Sequence, residues 1–136
     1  MKLSASSSFN AGDVSGFVRN LASGAVQGVQ AVAEQMVETE QAYAPVDTGA
    51  LRDSIQASVT VDEPERFEMV VGPSVDYSGF VEWGTGIRGS ESPDAGPWSY
   101  DENWPGMSPH PYVRPALDEV GPTASDTISA SIKTAL

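Results

Sequence analysis

Residues 55–71, IQASVTVDEPERFEMVV, carry the pattern that decides the fold. Ile55, Ala57, Val59 and Val61 alternate with Gln56, Ser58, Thr60 and Asp62, and Phe67, Met69 and Val71 resume the alternation. A period of two places the apolar set on one face of a strand, so two strands are predicted. Asp62–Glu65 contains Pro64 and reads as the turn of an antiparallel hairpin, which Gly72-Pro73 then stops.

Working outward, the period changes on both sides. Towards the N-terminus, Val14, Val18, Leu21, Ala25, Val29, Val32 and Met36 recur at steps of three and four, the spacing of one helix face. Asn10 or Asp13 is the expected cap, and Pro45 should end the helix near Tyr43. Gly16, Gly24 and Gly28 each weaken a helix by about 1 kcal/mol relative to alanine; they either let another helix or subunit approach closely or are tolerated defects. Residues 1–12, rich in Ser, Ala and Gly, read as a flexible arm ahead of one domain over 13–136.

Between the long helix and the hairpin, Asp47, Thr48 and Gly49 are turn and cap residues, and Ala50–Ser54 fits one helical turn. Beyond the hairpin, Tyr77–Trp83 reads two ways: Tyr77, Phe80, Val81 and Gly84 suit a short helix entering a turn, the favoured reading, while the Val and Trp content suits a strand. Residues 84–110 form an extended irregular loop holding Trp98, Tyr100 and Trp104. A loop of that length either hides a strand near Trp98–Asp101 or orders against a neighbour. A C-terminal helix follows, with Pro115 in its first turn and Gly121-Pro122 expected to kink or interrupt it. Leu117, Val120, Ile128, Ile132 and Leu136 supply its stripe. The predicted fold is α+β, with a long N-terminal and a C-terminal helix packed on a small antiparallel sheet.

The charge balance limits the function. Nineteen Asp and Glu against seven Lys and Arg give a net charge of −12 over 136 residues. Binding to nucleic acid draws on clustered cations that release counterions, so direct DNA recognition is not expected. The acidity reads either as a solvated surface or as adaptation to molar salt, where the Debye length falls to about 3 Å and self-repulsion is screened. No cysteine is present, so disulfides and thiolate metal sites are excluded. No apolar run approaches the ~20 residues of a membrane span, and the first ten residues do not read as a secretion signal.

Catalytic patterns are missing. His110 is the single histidine and lies between two prolines; there is no HExxH, GxSxG or P-loop. Gly84-Thr85-Gly86 is a weak match to a phosphate-binding turn. An acid pair such as Asp47 with Glu82 would need a cleft that raises one pKa. No enzyme, cofactor or metal is expected. Arg52 and Arg114 sit at element starts, where either could grip a carboxylate such as Glu82 and fix a junction; the alternative for each is ordinary exposure.

Three segments in order, APVDTGALRDSI at 44–55, YSGFVEWGT at 77–85 and PHPYVRPAL at 109–117, together resemble the neck and tail-completion proteins of long-tailed phages and archaeal tailed viruses. The resemblance covers residues 13–136. It implies a structural subunit of the head–tail joint, of tail-completion or tail-terminator type, assembled in the host cytoplasm into a ring that is usually six-fold. Its implied partners are copies of itself and neighbouring head-completion and tail-tube proteins, with DNA passing through without sequence-specific binding. The contact signature it carries over comprises Asp47, Thr48, Gly49, Arg52, Tyr77, Phe80, Glu82, Trp83, Tyr112 and Arg114, to which the loop adds Trp98, Tyr100 and Trp104. The acidity and the 84–108 loop depart from that pattern. Deleting Ser90–Asn103 is expected to leave a folded monomer that forms no ring. The alternative reading is a soluble acidic module for a basic protein partner, and an acid-pair hydrolase ranks third.

Overall fold

The computed structural model describes residues 11–62, 66–96 and 98–136. Its elements are α1 (Ala11–Tyr43), α2 (Ala50–Asp53), β1 (Gln56–Asp62), β2 (Arg66–Gly72), α3 (Ser78–Trp83), α4 (Gly86–Ser90) and α5 (Val113–Ala135). The α+β fold expected from the sequence is the fold observed: two long helices and a two-stranded antiparallel sheet. The expected arm over 1–12 and the Asn10 cap fall largely outside the described residues, and so does the turn over 63–65. Ala11 and Gly12 already belong to α1.

The hairpin register matches the alternation. Ala57 pairs with Val71, Val59 with Met69 and Val61 with Phe67, so the apolar residues of both strands share a face. That face meets the side of α1 carrying Val32 and Met36. Val32, Met36, Ala116 and Val120 form one buried cluster, with Met69, Val71, Ala124 and Ile128 packed against it. A second cluster, Ala44, Leu51, Ile55 and Tyr112, gathers Val37, Val71, Val75, Val81 and Val113. Val71 touches both and joins them.

Two of the α1 glycines are close-packing sites. A β-carbon on Gly28 would lie 2.7 Å from the Ile128 α-carbon, and one on Gly24 would lie 2.8 Å from that of Ile132. Helix α5 therefore lies backbone to backbone against α1 and antiparallel to it.

Of the two readings offered for the irregular 84–110 segment, the strand is overturned: Trp98–Asp101 is not extended into a sheet, and what the segment adds is α4 and an antiparallel bridge between Thr85 and Met107. Gly86 and Gly106 adopt positive φ there, and their backbones also come too close for any side chain, so both positions require glycine. Helix α5 also runs through Gly121-Pro122 without interruption. Proline removes one N–H from the ladder, but Val120 before it and Ala124 and Ile128 after it all pack on the cluster shared with α1, so both halves stay helical against it.

A carboxylate clamp and an exposed motif surface

Helix α5 starts where no side chain of its own can cap it; Tyr112 at the cap position makes no side-chain bond to the helix end. The cap comes from α3. Glu82 Oε2 accepts the backbone N–H groups of Tyr112 (2.7 Å) and Val113 (3.0 Å), and Oε1 accepts that of Arg114 (3.2 Å). These are orphan donors of a helix N-terminus, where a negative charge is also favoured by the dipole. The Arg114 guanidinium adds Nε to Glu82 Oε1 at 2.9 Å and a second bond to the Glu82 carbonyl at 3.2 Å. It lies 3.9 Å over the Trp83 ring and 3.6 Å from Asp94. Burial pushes the Glu82 carboxyl up, but the N–H donors and Arg114 outweigh it and hold the group below its ordinary value.

The clamp joins two of the sequence motifs, YSGFVEWGT and PHPYVRPAL. Arg114 is the arginine that grips Glu82. Arg52 instead pairs with its neighbour Asp53 at 3.1 Å, and its carbonyl accepts Gln41. Glu82 is 4% exposed and Tyr112 1%, so both face inward, and the Tyr112 hydroxyl donates to the Ser78 carbonyl. Burial and the nearby Glu82 and Glu40 push the Tyr112 phenol up to about 12.

The loop aromatics fold back on α3. Trp98 packs edge-on against Phe80 and Tyr100, and the Tyr100 hydroxyl donates to the Trp83 carbonyl at 2.8 Å. Deleting Ser90–Asn103 would thus strip packing from α3 as well as a surface from the loop. The turn of the first motif is built locally: Gly49 takes φ +86°, and the Ala50 N–H donates to Thr48 Oγ1.

What remains exposed is the rest of the signature. Asp47, Thr48, Tyr77, Phe80 and Trp104 face outward. A groove of about 460 Å³ runs between the 45–51 turn and Tyr77, Val81, Met107 and His110. A second recess of about 330 Å³ lies between Phe80, Trp98 and Trp104. Helix α3 is the ridge between them, since Tyr77 and Val81 wall one and Phe80 the other. His110 is held by its backbone N–H, 2.7 Å from the Val81 carbonyl.

One buried acid escapes the sequence reading. Glu40 is 0% exposed and, within the described residues, neither of its oxygens has a hydrogen-bond partner. Burial, aided by the charge on Glu82, pushes its carboxyl up to about 7. A signal was available: Glu40 lies one step of four beyond Met36 in the apolar stripe, where a core residue is expected. Among the described residues, no three acidic or histidine side chains come together as a metal cage, and no helix is long and apolar enough to cross a membrane.

Residues 16–84 match the family HK97-gp10_like, described as "Bacteriophage HK97-gp10, putative tail-component". No curated protein and no solved structure matches.

Proposed function

Since the chain belongs to the HK97-gp10-like family of phage tail components and so has a structural, tail-related role in the virion, we propose that it is a tail-completion or tail-terminator subunit at the head–tail joint. Copies associate into a closed ring around the channel, and the subunit contacts the neighbouring head-completion and tail-tube proteins. It works without catalysis. The observation that carries this reading is the division of the motif residues. Glu82, Tyr112 and Arg114 are spent on locking α3 to α5, while Asp47, Tyr77, Phe80 and Trp104 are left facing outward beside two apolar recesses. Exposed aromatics flanking a rigid element are the usual anchors of a protein interface.

A net charge of −12 suits a wall past which DNA must slide without sticking. The same acidity fits a salt-rich host. A melting temperature that rises between about 0.05 M and about 3 M KCl supports that; an unchanged one removes it. The ring is tested by negative-stain microscopy and light scattering in high salt. Closed rings of constant mass are expected. A monomer that binds a cationic protein one to one overturns the ring in favour of an acidic binding module. W104A, which alters an exposed side chain and spares the loop's packing, should weaken assembly with other virion parts without lowering the melting temperature.

A further inference from the structure

The chain has three Trp, four Tyr and four Phe, and four of these aromatics wall a single recess. It is the hollow of about 330 Å³ beside α3, lined chiefly by Phe80, Trp98, Tyr100, Trp104 and Asp101. Pockets for whole small molecules run from about 300 to about 1,000 Å³, so this one suits a single long side chain. Phe80 and Trp104 are each 53% exposed, and Asp101 is exposed on the rim. Aromatic surface gathered beside a carboxylate, rather than scattered singly, marks a contact site.

The walls are held before anything binds, which lowers the cost of binding. The Tyr100 hydroxyl donates to the Trp83 carbonyl at 2.8 Å and accepts the Gly96 N–H. Trp98 stands edge-on to Phe80 and Tyr100, and its ring lies 3.1 Å from where a Gly79 β-carbon would be. Asp101 Oδ1 accepts the Asn103 N–H at 2.9 Å, which fixes the carboxylate in a turn. The negative faces of aromatic rings attract cations, and a carboxylate adds a formal charge. One such arrangement is already in use: Arg114 lies 3.9 Å over Trp83, bonded to Glu82. The recess has the same two components, and among the described residues no cation lines it.

Arginine fits such a site better than lysine, because its planar group stacks on rings while donating to a carboxylate. A second copy is a poor source of it. The chain carries a net charge of −12, and Arg52, Arg88 and Arg114 are each bonded within their own chain. We propose that the recess between Phe80, Trp98 and Trp104 receives an arginine side chain presented by a different, basic protein of the virion. The guanidinium lies against the rings, and its N–H groups donate to Asp101. The proposal rests on the reading of the chain as a subunit of the head–tail joint and names the chemistry of one neighbour.

The full chain is titrated with a glycine–serine peptide carrying one central arginine, and with the same peptide carrying citrulline, its uncharged isostere. Indole N–H resonances are followed by NMR. Those of Trp98 and Trp104 are expected to shift saturably with the arginine peptide alone, while that of Trp83, already covered by Arg114, stays in place. Equal shifts with both peptides, or none up to about 10 mM, overturn the proposal. Asp101→Asn keeps an acceptor for the Asn103 N–H, so its melting should match the parent's while the arginine peptide binds at least about threefold more weakly. Trp104→Ala should weaken binding by a similar factor. Unchanged binding in both variants also overturns it. Light scattering separates this idea from the ring. A chain that forms rings yet ignores the arginine peptide refutes the recess and leaves the ring standing; a monomer that takes the peptide refutes the ring and keeps the recess. Rings dispersed by Asp101→Asn would give the recess to a second copy and overturn the proposal.

Discussion

Two buried glutamates in this chain have opposite surroundings. Glu82, at the α3–α5 junction, accepts three backbone N–H groups and an arginine; Glu40, beside a cleft between α1, β2 and α5, accepts nothing among the described residues. Both are removed from water, yet one is held ionised and the other is driven towards its neutral form. Burial alone does not decide what a carboxylate does. The donors aimed at it do, and here they divide a structural clamp from an unsatisfied site.

The largest effect is expected at Glu82. Glu82→Ala orphans the α5 N-terminus and leaves Arg114 half-buried without its carboxylate, so a loss of about 3–5 kcal/mol is expected in urea unfolding at pH 7. Glu40 should respond in the opposite direction. Its folded value of about 7 stands above the ordinary 4.5, so between those values the folded chain holds a proton that the unfolded chain has lost. Stability therefore falls as pH rises from about 4.5 to about 7 and stays low above it. Glu40→Gln should flatten that fall and stabilise the monomer at pH 8 by about 3 kcal/mol; urea midpoints taken across pH 4.5–8 check it. A mutant that keeps the wild-type slope would assign the pH response to other groups. The smallest effect belongs to the clamp's outer layer: Trp83→Leu removes the ring beneath Arg114 and should cost about 1 kcal/mol at pH 7.

Much of this architecture was legible in the sequence because it follows from periodicity. The alternation over 55–71 placed both strands and their shared face, and Pro45 marked the end of α1 at Tyr43. Gly24 and Gly28 offered two readings, and the contact with α5 selects close packing. Helix α4 was hidden because GIRGS has two glycines and no repeat, and its first turn is fixed by bonds from Ile87 and Arg88 to the Trp104 and Pro105 carbonyls far along the chain. Pro122 misled because its local cost is overridden by packing on either side. At the site, the sequence offered Arg52 and Arg114 equally as partners for Glu82, and only the path of the chain chooses between them. The inward placement of Tyr112 likewise depends on residues 30 or more positions away.

The Glu82 clamp also bears on how this chain can vary. It ties residue 82 to residues 112–114, and the Thr85–Met107 bridge ties the same stretch a second time. The span between is thus a loop whose two feet are fastened independently of its length. Doubling such a loop costs only about 0.6 kcal/mol of closure entropy. Its tip can lengthen, shrink or change composition while the two long helices keep their places, much as one tool head can be swapped for another on a fixed handle.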